Sequence, residues 1–265
     1  MKLGKSIMSK MVLLLVAAAI PLYATGLMMY SVCTQQMVNE ILANKRAQMA
    51  YYIQSVQGEL SRLVGLEAMI VNDSEIGSLT NRYDYFTPYE RGRRVNALRN
   101  RLVNTRLSCP YAESVTAFME PLNSKLNDHS GLDDMTEEDA AFVARLSQGP
   151  IRTIYLDEGR MYAAVQVLDG AKQPVYTLAT RLSVAQMRRD MEQLESGVTL
   201  GSVLLYDGDQ PLVSTMEEDE ALWSAAMARS EALFDGVAIR LRAGGERYYV
   251  TGVRSDFARL TLLNF

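Results

Sequence analysis

The chain has 265 residues, of which 48% are hydrophobic and 22% are charged, and its formal net charge is −4. This composition is ordinary for a folded chain and allows one large domain or two small ones. The acidic balance does not suggest a nucleic-acid partner. The two cysteines, Cys33 and Cys109, are far apart, and the disulfide that they could form leaves the redox compartment open.

The first predicted element is a membrane helix over residues 11–32, which include no charged residue. About 20 apolar residues are enough to cross a bilayer core of about 30 Å. A basic start also fits a secretory signal peptide, but the apolar run is long for one and has no clear cleavage site. We therefore expect an uncleaved anchor. Because Lys2, Lys5 and Lys10 precede it, residues 1–10 are placed in the cytoplasm and those after about 32 outside the membrane.

A long stalk helix is predicted over residues 33–71, continuous with the membrane helix. Apolar residues recur every seven positions on one helical face. They are Leu42, Met49, Val56, Leu63 and Ile70. This stripe can pack along the chain's own domain or pair with another chain, and the two interpretations are compatible.

A tyrosine-rich segment, "RYDYFTPYER", and a basic helix from Pro88 to Leu107 come next. The tyrosine-rich segment is a candidate lid for a ligand pocket. The arginines of the helix indicate either an anion site or, more simply, a solvated helix face. They are Arg91, Arg93, Arg94, Arg99, Arg101 and Arg106.

Two units with a similar order of elements fill the rest of the chain: two strands, an acidic helix and three further strands. The triplet Glu137-Glu138-Asp139 in the first corresponds to Glu217-Glu218-Asp219 in the second. Acidic residues suit the first turn of a helix. The order predicts two tandem α+β lobes, over residues 72–196 and 197–265, with a single irregular α+β domain as the alternative.

The sequence offers no convincing catalytic set. The only histidine, His129, falls in the turn-like "LNDHSG", and one histidine with two distant cysteines does not make a zinc site. We therefore expect no catalytic residues, no metal and no cofactor, and no enzyme activity from this chain.

Ligand-binding residues are predicted on the strand "RMYAAVQVL". Met161 and Val165 belong to an apolar face, whereas Tyr162 and Gln166 lie on the other face. With side chains from neighbouring strands, this second face combines aromatic, amide and cationic groups suited to a small molecule. An ordinary solvent-facing sheet is the alternative. The predicted ligand-binding residues are Arg152, Tyr162, Gln166 and Tyr176.

The final segment, "RYYVTGVRSDFARLTLLNF", resembles the end of the sensor in YesM-type bacterial sensor histidine kinases with a double Cache domain. There a Y-x-V strand is followed by a serine and a T-L strand; this sequence departs at Leu260, where a tryptophan is expected. The resemblance implies an α+β fold with an N-terminal transmembrane helix continuous with the stalk helix. Two tandem PAS-like Cache lobes with antiparallel sheets follow, the first membrane-distal and the second membrane-proximal.

The same resemblance implies a homodimeric sensor that binds a small molecule outside the cell and signals across the bilayer. A second membrane helix, a HAMP segment and a kinase module are then expected beyond Phe265. The aromatic-arginine-tryptophan motif of some double Cache domains is not evident, so the ligand class stays open. The alternatives are the sensor of a chemoreceptor or diguanylate cyclase, a membrane-anchored extracellular enzyme, and a scaffold without a ligand.

Overall fold

The structure is a computed structural model that describes residues 3–148, 153–171, 173–195, 200–216, 220–229, 232–233, 238–243, 245–255 and 257–265. It separates into two compact units, Met1–Ala47 and Gln48–Phe265. The predicted site residue Arg152 and the acidic triplet 217–219 lie outside the described residues.

The first unit is helical over its described residues and contains the start of helix α1, Leu3–Val71. This helix includes an 18-residue stretch of mean hydropathy 2.2, none of which is buried. By length and composition it can cross a membrane. Pro21 lies inside the helix, which a membrane helix tolerates.

The second unit includes the rest of α1, five further described α-helices, the short 3₁₀-helices Tyr83–Tyr85 and Glu120–Leu122, and two sheets. The α-helices are α2 Ser74–Arg82, α3 Pro88–Ser108, α4 Glu137–Gln148, α5 Val184–Leu194 and α6 Glu220–Met227. The first sheet contains β1 Ala112–Met119, β2 Ser124–Asn127, β3 Leu132–Asp134, β4 Ile154–Asp157, β5 Arg160–Leu168 and β6 Pro174–Leu182. The second contains β7 Ser202–Tyr206, β8 Gln210–Ser214, β9 Ile239–Ala243, β10 Glu246–Ser255 and β11 Leu260–Asn264.

Both sheets are antiparallel, with strand orders β3-β2-β1-β6-β5-β4 and β8-β7-β11-β10-β9. The prediction of an α+β chain with a long N-terminal helix and antiparallel sheets is therefore confirmed. The boundaries of the two lobes stay a prediction, because Gln48–Phe265 forms one compact unit. The last strand, β11, lies in the middle of the second sheet, between β7 and β10.

One apolar core joins α1 to both sheets. Leu60 and Leu63 of α1 are fully buried in a cluster that also contains Met161 of the first sheet and Leu204 and Leu262 of the second. The core-facing stripe of α1 includes four of the predicted positions, namely Met49, Val56, Leu63 and Ile70. Part of the predicted stripe thus packs along the chain's own domain.

Polar contacts cross the same core. The Tyr206 hydroxyl of the second sheet donates to the Ile154 carbonyl oxygen of the first at 3.0 Å. From β10, the Ser255 hydroxyl donates to Gln57 Oε1 of α1 at 2.9 Å. A hydrogen bond formed away from water fixes the relative position of its partners more firmly than apolar packing alone, which is not directional. These two bonds therefore add directional links between the helix and the two sheets.

Most arginines of α3 have partners within the chain. Arg101 pairs with Asp73 and Glu75, and Arg106 pairs with Asp128. Arg91 and Arg94 stack over aromatic rings, those of Tyr83 and Phe86. These contacts favour a structural role for the basic helix over an anion site.

Candidate ligand cavity

The two faces of the first sheet are covered by different helices. Residues of α1, α2 and α3 pack on one face, around Val115 and Leu178. Helix α4 covers part of the other face, where its Phe142 and Val143 pack on Phe118 and Ala164. Alternate residues of each strand point to opposite faces, so every strand contributes to both layers.

Helix α4 is positioned by a reciprocal cap at its first turn. The Thr136 hydroxyl accepts a hydrogen bond from the Asp139 backbone N–H at 3.2 Å, and Asp139 Oδ2 accepts from the Thr136 backbone N–H at 2.8 Å. Lys125 of β2 adds an ion pair to the same carboxylate oxygen at 2.6 Å. The cap thus orders the first turn of α4, and the Lys125 ion pair links that turn to β2.

A cavity of about 510 Å³ lies between α4 and the uncovered part of this sheet face. Its sheet side is formed by Ser114, Thr116, Tyr162 and Arg181, whereas α4 contributes Phe142 and Arg145. Strand pairing aligns Ser114, Arg181 and Tyr162 as one row across three strands. The volume is within the range of small-molecule sites.

Most of the charged side chains that line the cavity form ion pairs with other residues of the chain. Arg145 makes a two-pronged contact with Asp157, Nε to Oδ1 and Nη2 to Oδ2, both at 2.7 Å. Arg181 Nε lies 3.3 Å from Glu113 Oε2. Burial by itself raises the pKa of Asp139, but hydrogen bonds from Lys125 and Thr136 outweigh it and lower that pKa. The Asp139 carboxylate is therefore held ionised.

The predicted ligand-binding residues are only partly brought together. Tyr162 lines the cavity, as predicted for its face of β5. Gln166 shares that face but lies beneath α4, where its Nε2 donates to the Val143 carbonyl at 3.3 Å and to Thr177 Oγ1 at 3.1 Å. Its amide is thus used in holding the helix on the sheet.

Tyr176 was predicted to bind a ligand, but its side chain does not face the cavity. It pairs directly with Val167 in the β5–β6 register, and residues directly opposite each other share a face. Val167 belongs to the core side, so Tyr176 does too, and its hydroxyl donates to the Val71 carbonyl of α1 at 2.5 Å. Tyr176 therefore lies on the opposite side of the sheet from Tyr162.

The tyrosine-rich segment is also on the wrong side to act as a lid. Tyr83 packs with the cluster around Leu98 and Leu178, on the face that α3 covers. Arg91 holds the turn by donating to the carbonyls of Phe86 and Asp84, each at 3.0 Å. The segment is a fixed turn beyond the other layer, with Tyr85 and Tyr89 exposed.

Several solved structures with the same fold are sensory or extracellular domains of signalling proteins. The sensory domain of the Campylobacter jejuni chemoreceptor Tlp3 matches with a TM-score of 0.56 at 11% identity, over 86% of this chain and 94% of that one. The extracellular domain of rpHK1S-Z16, a protein named as a histidine kinase, matches with a TM-score of 0.57 at 10% identity, over 88% and 95%. A domain named as sensory box/GGDEF from Vibrio parahaemolyticus matches with a TM-score of 0.57 at 8% identity, over 86% and 96%.

This chain has the fold of those sensory domains. No protein-family model matches the sequence, and neither does any curated protein. At such low identities the likeness extends to the fold alone.

A buried contact joins the cavity floor to α1. Strand β6 places Ala179 and Arg181 in the cavity and Thr180, between them, on the opposite face. There the Thr180 hydroxyl donates to Glu67 Oε1 of α1. Glu67 is fully buried, and burial raises its pKa to about 8, against the smaller opposing effect of the hydrogen bond from Thr180. The Glu67 side chain is therefore held neutral. It contacts Thr180, whose two neighbours in β6, Ala179 and Arg181, line the cavity.

The corresponding face of the second sheet is filled by apolar side chains. Leu222 and Ala226 of α6 pack with Leu205 and Leu263 in a buried cluster. A β-carbon added at Gly252 of β10 would lie only 2.7 Å from the Leu233 carbonyl oxygen, so the backbone is in direct contact there. The part of this layer that the structure describes is therefore suited to packing, and the first sheet has the better binding site.

Proposed function

We propose that this chain is the ligand-sensing region of a membrane-bound bacterial signalling protein. A small molecule bound between α4 and the first sheet shifts β6, and Thr180 passes the shift to Glu67 on α1. The single observation that supports this most is the cavity of about 510 Å³ whose floor strand also bonds the long helix. The energy must come from different affinities of the ligand for two states of the protein.

The proposed location follows from α1. Residues 11–32 lie in the lipid bilayer, residues 1–10 in the cytoplasm, and the residues after about 32 outside the membrane. The apolar, unburied stretch of the helix and the extracellular or periplasmic origin of the sensory domains of similar fold support this placement. The two sheets correspond to a membrane-distal lobe over 72–196 and a membrane-proximal lobe over 197–265, as in a double Cache domain.

The proposed output is a sensor histidine kinase of the YesM type, with no catalysis by this chain itself. The kinase-derived domain of the same fold supports that output. Chemoreceptor and GGDEF domains have an equally similar fold, so those outputs are the second candidate. Tlp3 sensory domains have been solved with isoleucine and with L-valine, which supports a small-molecule ligand for this chain as well.

Two neighbouring alanines on α4 allow a direct test of the cavity. Ala140 and Ala141 are both exposed, but only Ala141 lines the cavity. The full chain, purified in detergent micelles, is screened by thermal shift against sugars, sugar acids and amino acids. We expect a hit to raise Tm by a few degrees. In Ala141→Trp the indole fills the opening and removes the shift, whereas Ala140→Trp keeps it. Equal shifts in both variants would place binding elsewhere.

A second copy of the chain is proposed to cover the outward face of α1. Gly58 and Gly65, seven residues apart, have nothing within 4 Å of an added β-carbon, and Tyr51 and Met69 on the same face are 75% and 74% exposed. Glycine inside a helix costs roughly 1 kcal/mol relative to alanine, and its small size allows two helices to approach closely.

The dimer is tested by light scattering of the full chain in detergent. We expect the parent to have the mass of a dimer and Gly58→Arg to have that of a monomer, because a long cation there separates the helices. Gly92→Arg on α3 is the matched control, since Gly92 also has nothing within 4 Å. A dimer that survives Gly58→Arg together with Gly65→Arg would contradict this interface.

A further inference from the structure

We propose that the ligand of the cavity is an uncharged, polyhydroxylated molecule, of the size of a mono- or disaccharide. This inference rests on the proposed function and adds the chemical class of the ligand. It differs from the zwitterionic isoleucine of the Tlp3 complex, and it follows from how the charges of this cavity are already paired.

The cavity is electrically balanced by its own side chains. Its described lining includes four cationic side chains and four acidic ones, so their formal charges cancel. The cations are Lys125, Arg145, Arg160 and Arg181, and the acids are Glu138, Asp139, Asp157 and Glu158. A ligand with a net charge would therefore gain nothing from the overall field of the site.

The acids best placed to bind an ammonium group are already occupied. Asp139 Oδ2 accepts from Lys125 at 2.6 Å and from the Thr136 backbone N–H and hydroxyl, each at 2.8 Å. Both oxygens of Asp157 accept from Arg145. Removing one partner of such a pair leaves a partly buried charge without its hydrogen bonds, which is costly. An amine ligand at Asp139 or Asp157 would have to break one of these pairs, whereas the other two acids of the lining, Glu138 and Glu158, are exposed to solvent.

The groups that remain suit hydroxyls. The Tyr162 and Ser114 hydroxyls form no hydrogen bond with any residue that the structure describes, and Thr116 shares its oxygen with Asn127 Nδ2 at 3.2 Å. Hydroxyl and amide groups both donate and accept, as sugar hydroxyls do. The tilted rings of Phe142 and Tyr162, with centroids 4.8 Å apart, supply an apolar surface for the C–H face of a ring.

Of the residues that line the cavity, Arg160 most favours an anionic ligand over an uncharged one. Its guanidinium has no ion-pair partner among the described residues, and it is exposed at the start of β5. A solvated arginine can bind a carboxylate, but it can equally donate to sugar oxygens. Substituting Arg160 separates these two roles, because only an anion depends on its charge.

The experiment compares matched neutral and charged probes on the full chain in detergent. D-glucose, D-galactose, L-arabinose and L-rhamnose are tested against glucuronate, galacturonate, glucosamine and isoleucine. We expect at least one neutral sugar to raise Tm, and every ionised probe to bind at least tenfold more weakly than that sugar. Tyr162→Phe, which removes one hydroxyl, should weaken the sugar about fivefold. Arg160→Gln should change its affinity less than threefold, with little dependence on salt.

The outcomes separate the ligand class from the proposed function. If only isoleucine or a sugar acid stabilises the parent and Ala141→Trp removes that effect, the uncharged class is overturned while the sensor function stands. If Arg160→Gln then lost binding of the anion, the Arg160 guanidinium would be the group that recognises it. If no probe of any class shifts Tm, direct sensing in this cavity is overturned, and the ligand class with it.

Discussion

Replacing Glu67 with glutamine is expected to remove a loss of stability that we expect in the parent protein as the pH rises. The pKa of Glu67 is raised to about 8 in the folded protein from an ordinary value of 4.5. Between these values the folded state keeps a proton that the unfolded chain has released. The free energy of unfolding therefore falls by about 1.4 kcal/mol per pH unit in that window, and the loss is complete above pH 8.

The glutamine variant keeps the acceptor for the Thr180 hydroxyl but does not titrate. Urea unfolding of the full chain in detergent, followed by circular dichroism at pH 5, 6.5 and 8, measures the difference. We expect similar stability at pH 5 and a variant that is more stable by several kcal/mol at pH 8. The difference in stability between the variant and the parent separates the titration of Glu67 from that of other groups. One such group is Glu120, because burial raises its pKa to about 6.

The matched control is Glu40→Gln, a change of an exposed glutamate on α1, which should follow the parent curve at every pH. If the parent and Glu67→Gln lost stability in parallel as the pH rises, Glu67 would not be held neutral in the folded protein. The coupling contact would then have to be an ion rather than a neutral hydrogen bond.

Shortening Leu60 to alanine is expected to destabilise both sheets together. The side chain is fully buried in the cluster that α1 shares with both sheets. Removing it leaves a cavity, and such changes cost about 2–5 kcal/mol. Because the cluster includes both sheets, the loss should appear in both at once, as a single transition at a lower urea midpoint.

Hydrogen–deuterium exchange can follow peptides of the two sheets separately. We expect faster exchange in β5 and in β11 to the same extent in Leu60→Ala. Leu107→Ala, at a position that is 69% exposed, should leave both unchanged. Two transitions, with only one sheet affected, would instead show that the two predicted lobes unfold independently.

Local patterns in the sequence predicted the layers of the fold well. The alternation along β5 correctly separated Met161 and Ala163, both fully buried, from Tyr162. The heptad stripe of α1 correctly marked Val56 and Leu63 as core. These features depend on neighbours along the chain, and the periods of strands and helices make them visible in the sequence.

The residues that line the cavity were harder to predict from the sequence, because they depend on strand register and on the position of α4. Arg181 and Ser114 become neighbours of Tyr162 only when β6 lies between β1 and β5. The same register moves Tyr176 to the core side. A one-residue shift would reverse both assignments, and the sequence contains no signal that fixes the pairing of strands so far apart.

Glu67 was missed for a different reason. It lies within the helix that the sequence predicted, four residues before the buried Val71, yet a glutamate in an amphipathic helix is normally assigned to its solvated face. Its burial is possible because Thr180 of β6 supplies a hydrogen bond, and that partner is 113 residues away.

The central position of β11 in the second sheet constrains the order in which this sheet can be assembled during synthesis. Strands β7 and β8 form one hairpin, and β9 and β10 form another, but neither hairpin pairs with the other. Only β11, which follows both in the chain, joins them by pairing with β7 and β10. Until residues 260–264 leave the ribosome, two separate hairpins expose unpaired inner edges, so the second sheet is completed after the first.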